Sequence, residues 1–431
     1  MKNLNHYTRF RVKNSGDIVK YNNFTNGLYG DDLTPWTPEG PHMTAHEPSL
    51  KKSNKPSWLR ILLGHACNYD CSYCMQKDIG NPNERAKITT TERFIQSVQE
   101  KLDLSEVQKI DLWGGETLLY WKTIMPIIEA LDAPHFQWYI PTNGVPLRPK
   151  HVEFFNGLKA RVGIGMSHDG PGHEQLRGKE FLHNISTVET IRMIEAADNI
   201  AMSFNVVISQ QNYDLFEINK FFMDYIKQYN LNPNNFGITY EMGRAHYDPK
   251  NVLSGSYDHV LHGEKLTDFN NILRDYIEKC RQQQFEGADH GLLKNSMFHY
   301  GMGVLEYART LKEQSLPNLV TKCGVDDEQV LSIDMAGNVR TCPHVDDSDL
   351  GGHILHLDEV ELTGLDLDRY DSHCGKCPVF RLCKSTCPLK VPDRIFHANC
   401  RAEKVHYKAI QQGAMRILFN SEVEELNEDT E

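Results

Sequence analysis

Hydrophobic and polar positions follow two alternating rhythms through the middle of the chain. Trp58–Leu63 (WLRILL) is a short apolar run closed by Gly64, the pattern of a buried strand. Comparable runs recur at Val107–Trp113, Phe136–Pro141, Arg161–Ser167, Ala201–Ile208 and Phe236–Glu241. Stretches with apolar residues three and four apart predict helices over Thr91–Leu102, Tyr120–Leu131, Ile185–Ala197, Asp214–Tyr229 and Leu266–Gln284. Six strands alternating with helices predict an α/β core over residues 58–317, built of parallel βα units as a partial (β/α)6 barrel or an open sheet.

The flanks read differently. Residues 1–57 are polar, and Pro35, Pro38, Pro41, Pro48 and Pro56 crowd their second half, which predicts an extended arm. Over residues 318–405 Cys, Asp, Gly and His become dense, and long helices vanish until Ala402–Leu418. This is the composition of a small domain whose thin core needs metal ligands. Residues 406–431 comprise the helix end and a tail, NSEVEELNEDTE, whose six acids predict a solvated, fraying segment. No repeat and no low-complexity tract appears.

Composition narrows the function. A chain of 431 residues carries a prior of two to three domains at about 150 residues each. Its 46 Lys+Arg against 58 Asp+Glu leave a net charge of −12, which argues against nucleic acid as partner. No run approaches the roughly 20 apolar residues of a membrane span. The start, MKNLNHYTRF, has no apolar signal core, so a cytoplasmic location is expected.

Eleven cysteines are an odd number, and in a reducing compartment clustered cysteines hold metal more often than disulfides. One cluster is Cys67-x3-Cys71-x2-Cys74, directly after the first core strand. The other is Cys374-x2-Cys377-x5-Cys383-x3-Cys387, with Cys400 beyond and Cys323 and Cys342 before it. Cys280 stands alone and is expected only to pack. Ligands at the C-terminal end of a parallel strand point into the crevice where such folds place their sites. Three thiolates are one short of a tetrahedral zinc site or a fully ligated four-iron cluster. The set is therefore either completed from afar, by His65 or a distant His in a zinc site, or left with an open position.

The string CNYDCSYC resembles the cluster loop of the radical S-adenosylmethionine (radical SAM) superfamily, C-x3-C-x-aromatic-C, with Tyr73 as the aromatic. The resemblance extends through residues 58–405. It implies that Cys67, Cys71 and Cys74 hold three irons of a [4Fe–4S] cluster whose fourth iron takes the amino and carboxylate groups of SAM. One electron passed into the C5′–S bond then releases a 5′-deoxyadenosyl radical that takes a hydrogen from the substrate. Gly114-Gly115-Glu116 looks like the family's GGE motif, whose backbone and acid hold the methionyl amine, the glycines allowing close approach. Thr142-Asn143-Gly144 ends the third strand as TNG does in relatives. Ser167, Asp169, Gly170, His173 and Arg177 resemble the S-x-DG-x-x-x-H-x-x-x-R segment, in which the Ser lies near the SAM ribose or carboxylate and the Arg fork pairs with that carboxylate. Asn205 matches a polar residue facing the adenosine, and Gly243-Arg244-Ala245 follows the sixth strand as in relatives. Thr117 stands where relatives usually have Pro.

The C-terminal cysteines resemble the SPASM extension of these enzymes; on spacing alone two zinc ribbons are the alternative. The resemblance implies one auxiliary [4Fe–4S] cluster on Cys374, Cys377, Cys383 and Cys400, and a second on Cys323, Cys342 and Cys387. The fourth position of the second is open to substrate or filled by Asp326, Asp327 or Glu328; His344 is also near. Hydrogen abstraction leaves one electron too many for an oxidised closed-shell product, and a buried cluster of tunable potential can accept it. The expected chemistry is thus an oxidative two-electron change, a dehydrogenation or a new C–S, C–C or C–O/N bond.

SPASM proteins mostly act on peptides or proteins, so a peptide or protein substrate and a flavodoxin- or ferredoxin-type electron donor are expected. Sulfatase maturases carry an acid directly after the cysteine matching Cys342 and a further cysteine shortly after the one matching Cys323; Pro343 and the lack of that cysteine demote formylglycine formation. Only 66 residues precede Cys67, against about 80–90 for a leader-binding winged helix, so either leader binding would need a separate partner or the substrate has no leader. A nucleoside, sugar or other small-molecule substrate, and a non-catalytic zinc or electron-transfer protein, are the other readings.

Overall fold

The computed structural model describes residues 6–23, 25–36, 48–76, 88–245, 257–293, 298–313, 320–344, 350–367, 373–385 and 387–426. Its strands are β1 (Tyr7–Val12), β2 (Ile18–Asn22), β3 (Leu28–Gly30), β4 (Trp58–Leu62), β5 (Lys109–Trp113), β6 (Gln137–Thr142), β7 (Arg161–Ser167), β8 (Ile200–Ile208), β9 (Phe236–Met242), β10 (Val330–Asp334), β11 (Asn338–Arg340), β12 (Leu350–His353) and β13 (Val423–Glu425).

The core sheet runs β12-β11-β10-β4-β5-β6-β7-β8-β9. Strands β4 to β9 lie side by side in chain order and all parallel, as a partial barrel requires. Helices Ile88–Lys101, Trp121–Leu131, Pro149–Asn156, Ile185–Ala196 and Leu215–Gln228 make the crossovers, and Gly263–Phe285 follows β9. The short crossover helix Pro149–Asn156 was not predicted from the apolar spacing; Pro149 at its first turn is its sequence signal.

One face of the sheet is apolar and fully covered: Leu59, Ile61, Ile110, Leu112, Trp138, Ile140, Val162, Ile164, Phe204, Val206 and Ile238 are buried. The other face is polar. Trp58 Nε1 donates to Asp111 Oδ2 at 2.9 Å, and Arg60 stacks on the Trp58 ring at 3.9 Å. Lys109 pairs with Asp111 at 3.0 Å and sits 4.6 Å from the Tyr139 ring, whose hydroxyl accepts from Asn205 Nδ2 at 2.8 Å. Gly163 and Gly165 hollow this face. A Cβ on Gly165 would lie 2.2 Å from Tyr139 Oη and 2.5 Å from Asn205 Nδ2.

Three sequence expectations are corrected. Residues 7–30 are not an extended arm: β1, β2 and β3 form an antiparallel sheet completed by β13, in the order β13-β1-β2-β3. The alternation of Phe10, Val12, Val19 and Tyr21 with Arg9, Arg11 and Lys20 gives the sheet one buried face, and the polar count of the segment conceals it. The tail expected to fray supplies β13, with Lys13 paired to Glu422 at 2.8 Å; residues 427–431 lie outside the described residues, as do Pro38 and Pro41. Nor does the sheet stop at residue 317, because β10 pairs in parallel with β4, from Val330↔Trp58 to Asp334↔Leu62. The long helix Asp393–Phe419 packs on Gly263–Phe285 and Gly303–Glu313, with Gly413 allowing close approach to Ile277 and Val304. No helix among the described residues is long and apolar enough to cross a membrane.

Phe10 is fully buried in the terminal sheet. Phe10→Ala is expected to lower stability by about 3–5 kcal/mol in urea denaturation, whereas an extended arm would register under about 0.5 kcal/mol.

Candidate functional site

The strand ends converge on the loop between β4 and the first crossover helix. At Gly64 the backbone turns with φ +136°, a region that glycine adopts readily, and the Tyr120 hydroxyl packs against it. That hydroxyl accepts from Ala66 N–H at 2.7 Å. From β5 the Gly114-Gly115-Glu116 turn reaches across: Gly115 N–H donates to Gly64 O at 3.0 Å and Glu116 N–H to Ala66 O at 2.8 Å. A Cβ on Gly115 would lie 2.4 Å from His65 O and 2.6 Å from Ala66 O, so the turn needs glycine there. Thr117, in the position where Pro was expected, donates to Leu112 O at 3.1 Å.

Glu116 is buried. Its carboxylate accepts from Leu118 N–H at 2.9 Å, Thr142 Oγ1 at 2.7 Å and Asn143 N–H at 2.6 Å, which ties the ends of β5 and β6 together. Burial pushes its carboxyl up to about 7 against the pull of these donors. Asn143 in turn reaches the cysteine loop, donating to Asn68 Oδ1 at 2.7 Å, with Cys67 Sγ at 4.0 Å.

The segment after β7 grips the loop from the other side. Leu176 O accepts from both Ser72 N–H at 2.8 Å and Ser72 Oγ at 3.1 Å, and Tyr69 Oη donates to Lys179 O at 2.6 Å. Tyr73 Oη donates to Asp169 Oδ2 at 2.5 Å. The Arg177 fork meets a carboxylate of the chain itself, Nε donating to Asp169 Oδ2 at 2.9 Å and Nη2 to Asp169 Oδ1 at 3.2 Å. Asn205, expected to face the adenosine, holds Tyr139 Oη and accepts from Ser203 Oγ at 3.0 Å. Ser167 ends β7, half-buried beside this group.

The three thiols thus sit on a loop fixed by β5, β6 and the segment after β7. Burial pushes the Cys71 thiol up to about 12, with Arg177 opposing and Cys74 and Cys67 adding to the rise. None of the eleven cysteines is disulfide-bonded. Among the described residues no three His, Cys, Asp or Glu side chains converge on a single ion, whereas a four-iron cube spreads its thiolates over separate corners. Lys77 and Asp78 after the loop lie outside the described residues.

The C-terminal thiols fall into two neighbourhoods. Burial pushes the Cys342 thiol up to about 12, and Cys387 and Cys323 are the next influences on it. Arg60 donates from Nη2 to Cys323 O at 2.5 Å, and Arg244 is held by Glu403 at 3.6 Å within reach of Cys387 and Cys323. Cys374 and Cys377 bracket a helical turn, Cys383 ends the short helix Phe380–Cys383, and Cys400 lies on the long helix, where Cys377 raises its thiol after burial. Ser385 Oγ donates to Cys374 Sγ at 2.9 Å. Of the oxygen ligands considered for the Cys323 group, Asp326 accepts from Thr321 N–H and Oγ1 at 2.8 and 2.6 Å, Asp327 accepts from Gln329 N–H at 2.9 Å, and Glu328 is exposed. The backbone N–H of His344 donates to Cys342 Sγ at 3.4 Å, and burial pushes the His344 imidazole down to about 4.

Residues 61–217 match the family model described as the radical SAM superfamily. This chain carries a radical SAM domain. Over 301 residues it is 24% identical to the radical SAM cyclopropyl synthase TigE of Paramaledivibacter caminithermalis, spanning 66% of this chain and 57% of that protein. Over 119 residues it is 33% identical to GTP 3′,8-cyclase of Clostridium perfringens, spanning 27% of this chain and 36% of that one. The chain therefore covers only about a third to just over half of these relatives' lengths. The structure of anSMEcpe with bound AdoMet aligns over 85% of this chain and 99% of its own, with a TM-score of 0.55 at 16% identity, and so shares the fold.

A radical SAM domain implies a [4Fe–4S] cluster and SAM, and the residues present fit them. The loop offers three thiols without a disulfide, and the glycine turn of β5 closes on its backbone where a Cβ would intrude. Sequence reading missed the polar inner face formed by Trp58, Arg60, Lys109, Asp111 and Tyr139. Its signal is present in WLRILL and KIDLW, where charges occupy alternate positions of strands otherwise read as wholly buried.

Gly115→Ala is expected to lower stability by about 1–3 kcal/mol in chemical denaturation and to speed thiol labelling of Cys67. Gly114→Ala, whose nearest atom would be 3.3 Å away, is expected to do markedly less.

Proposed function

We propose that this chain is a radical SAM/SPASM enzyme that oxidatively modifies a side chain of a peptide or protein, forming a crosslink, a thioether or a dehydrogenated product. The observation carrying the reading is the Cys67–Cys74 loop, clamped at the C-terminal ends of parallel strands by the glycine turn, Asn143 and the segment after β7. When bound there, the cluster and SAM supply one-electron cleavage of SAM and hydrogen abstraction from the substrate. Cys67, Cys71 and Cys74 would hold the cluster, and Gly114, Gly115, Glu116, Asn143, Ser167, Arg177 and Asn205 line or brace the SAM side of the strand ends.

The chain's own residues have definable tasks in this reading. The glycine turn and Glu116 fix the loop against β5 and β6, so the thiols keep their spacing in the absence of substrate. The polar inner face leaves Lys109, Trp58 and Tyr139 half-buried to meet a polar substrate, while the apolar face seals the sheet from water. Cys323, Cys342 and Cys387, and Cys374, Cys377, Cys383 and Cys400, would hold two auxiliary [4Fe–4S] clusters that receive the electron left on the substrate. Support for a peptide comes from anSMEcpe, a neighbour in fold solved with AdoMet and the Cp18Cys peptide, which aligns over 84% of this chain with a TM-score of 0.54. The nucleotide-cyclising relative matches only 27% of this chain, which favours the peptide reading over a nucleoside.

Anaerobic reconstitution is expected to give about twelve irons per chain, from three four-iron clusters, and little zinc. Dithionite with SAM should then yield 5′-deoxyadenosine; Cys71→Ala should abolish it and Cys280→Ala should not. Iron absent from the wild-type chain, or no 5′-deoxyadenosine from the loaded enzyme, would overturn the reading. Cys377→Ala should still cleave SAM yet yield less oxidised product.

A further inference from the structure

Asp169 is fully buried and gathers contacts from four parts of the chain. Its Oδ2 accepts from Tyr73 Oη at 2.5 Å and Arg177 Nε at 2.9 Å. Its Oδ1 accepts from Arg177 Nη2 at 3.2 Å and from Val207 N–H of β8 at 2.9 Å. Its backbone carbonyl accepts from Asn212 Nδ2 at 2.8 Å. Arg177 also stands over the Tyr73 ring, 5.3 Å from the centroid, and Nη2 reaches Asn205 O at 3.5 Å. Tyr73 directly precedes Cys74 in the loop.

A buried carboxylate is costly unless paired and hydrogen-bonded, and this one has a bidentate guanidinium, a phenol and a backbone N–H. Such a group is stiff, because moving any partner strands a charge. Two elements of the barrel, β8 and the segment after β7, are thereby welded to the single residue next to the third thiol. Ser72, the other neighbour within the loop, is held by Leu176 O only one residue from Arg177. The loop's last turn therefore has its orientation set by Asp169.

We propose that Asp169 and Arg177 are positioning residues that act through Tyr73 to set the orientation of Cys74, and that the role of Arg177 is to hold Asp169 rather than to bind the cofactor's carboxylate. The proposal rests on the radical SAM reading of the loop. It goes further by assigning the pair a task in cluster geometry and by removing Arg177 from the cofactor contacts.

The test uses the full reconstituted chain as wild type, Tyr73→Phe and Arg177→Lys. Tyr73→Phe keeps the ring and removes only the hydroxyl. Arg177→Lys keeps the charge and loses the fork. The readout is the change that SAM induces in the electron paramagnetic resonance spectrum of the reduced protein, since only the cluster that meets SAM responds. Iron content, thermal midpoint and SAM affinity are measured alongside. Both variants are expected to retain iron and to bind SAM within about twofold of wild type. Both should show the same altered g-values, and both should form 5′-deoxyadenosine about tenfold more slowly, the factor carried by 1.4 kcal/mol. Selective loss of the SAM-responsive signal with the thermal midpoint kept would support the same conclusion. A wild-type spectrum and rate in Tyr73→Phe would overturn the proposal. So would a large loss of SAM affinity in Arg177→Lys alone, the result expected of a direct carboxylate contact. A wild-type protein with no SAM-responsive signal at all would overturn the radical SAM reading instead, which keeps the two failures distinct.

Discussion

Three thiols on one short loop must keep their separation without a disulfide to lock them, and the rest of the site follows from that constraint. The loop has little core of its own, so its shape is imposed from outside by hydrogen bonds of the neighbouring strand ends. Gly115 and Glu116 N–H groups pin its start, Asn143 holds its middle through Asn68, and Tyr73 anchors its end on Asp169. Each anchor comes from a different strand end, and in a parallel sheet those ends lie side by side on one rim. The βα architecture is thus what allows residues more than a hundred positions apart to converge on eight.

The sheet divides its labour by face. Its outer face is a continuous apolar layer under the helices, which supplies the burial that holds the parallel strands together. Its inner face carries polar groups that satisfy one another: Asp111 pairs with Lys109 on its own strand and accepts from Trp58 of β4, and Asn205 of β8 reaches Tyr139 of β6 across the glycines of β7. Glycines at 163 and 165 remove side chains where the third and fifth core strands would otherwise collide with the fourth. A filled barrel would stack branched apolar residues in this space. Here hydrogen-bonded polar side chains and two glycines take the place of that packing.

Much of the core was legible because its signals are local. Every one of β4 to β9 falls within two residues of its apolar run, since parallel strands buried on one face and flanked by amphipathic helices leave an unambiguous pattern. The cysteine loop stood out by its spacing and by its place directly after a strand. What failed depended on distant partners. Residues 10–12 pair with residues 423–425, so the acidic tail looked solvated without that partner; β1 has a local partner in β2, and there it was the polar count of the segment that hid the strands. Likewise β10 joins the core sheet from inside the cysteine-rich region, and nothing in VLSID names β4 as its neighbour. Arg177 shows a third limit. A motif supplies a residue type capable of clamping a carboxylate, but the contact with Asp169 within the chain is visible only in the fold.

Charge separates the C-terminal thiols from a merely packed cysteine. Cys280 lies in the core, and burial alone acts on its thiol. Cys323, Cys342 and Cys387 instead share their surroundings with Arg60 and Arg244. These guanidiniums have carboxylate partners, Asp111 at 3.8 Å and Glu403 at 3.6 Å, both longer than the roughly 2.7–2.9 Å of a tight charge-assisted contact. Arg60 also donates to Cys323 O and lies on the Trp58 ring, which fastens the Cys323 segment to β4. Among the described residues nothing charged acts on Cys280 in this way, which is the difference between a thiol that fills the core and thiols set among charged groups.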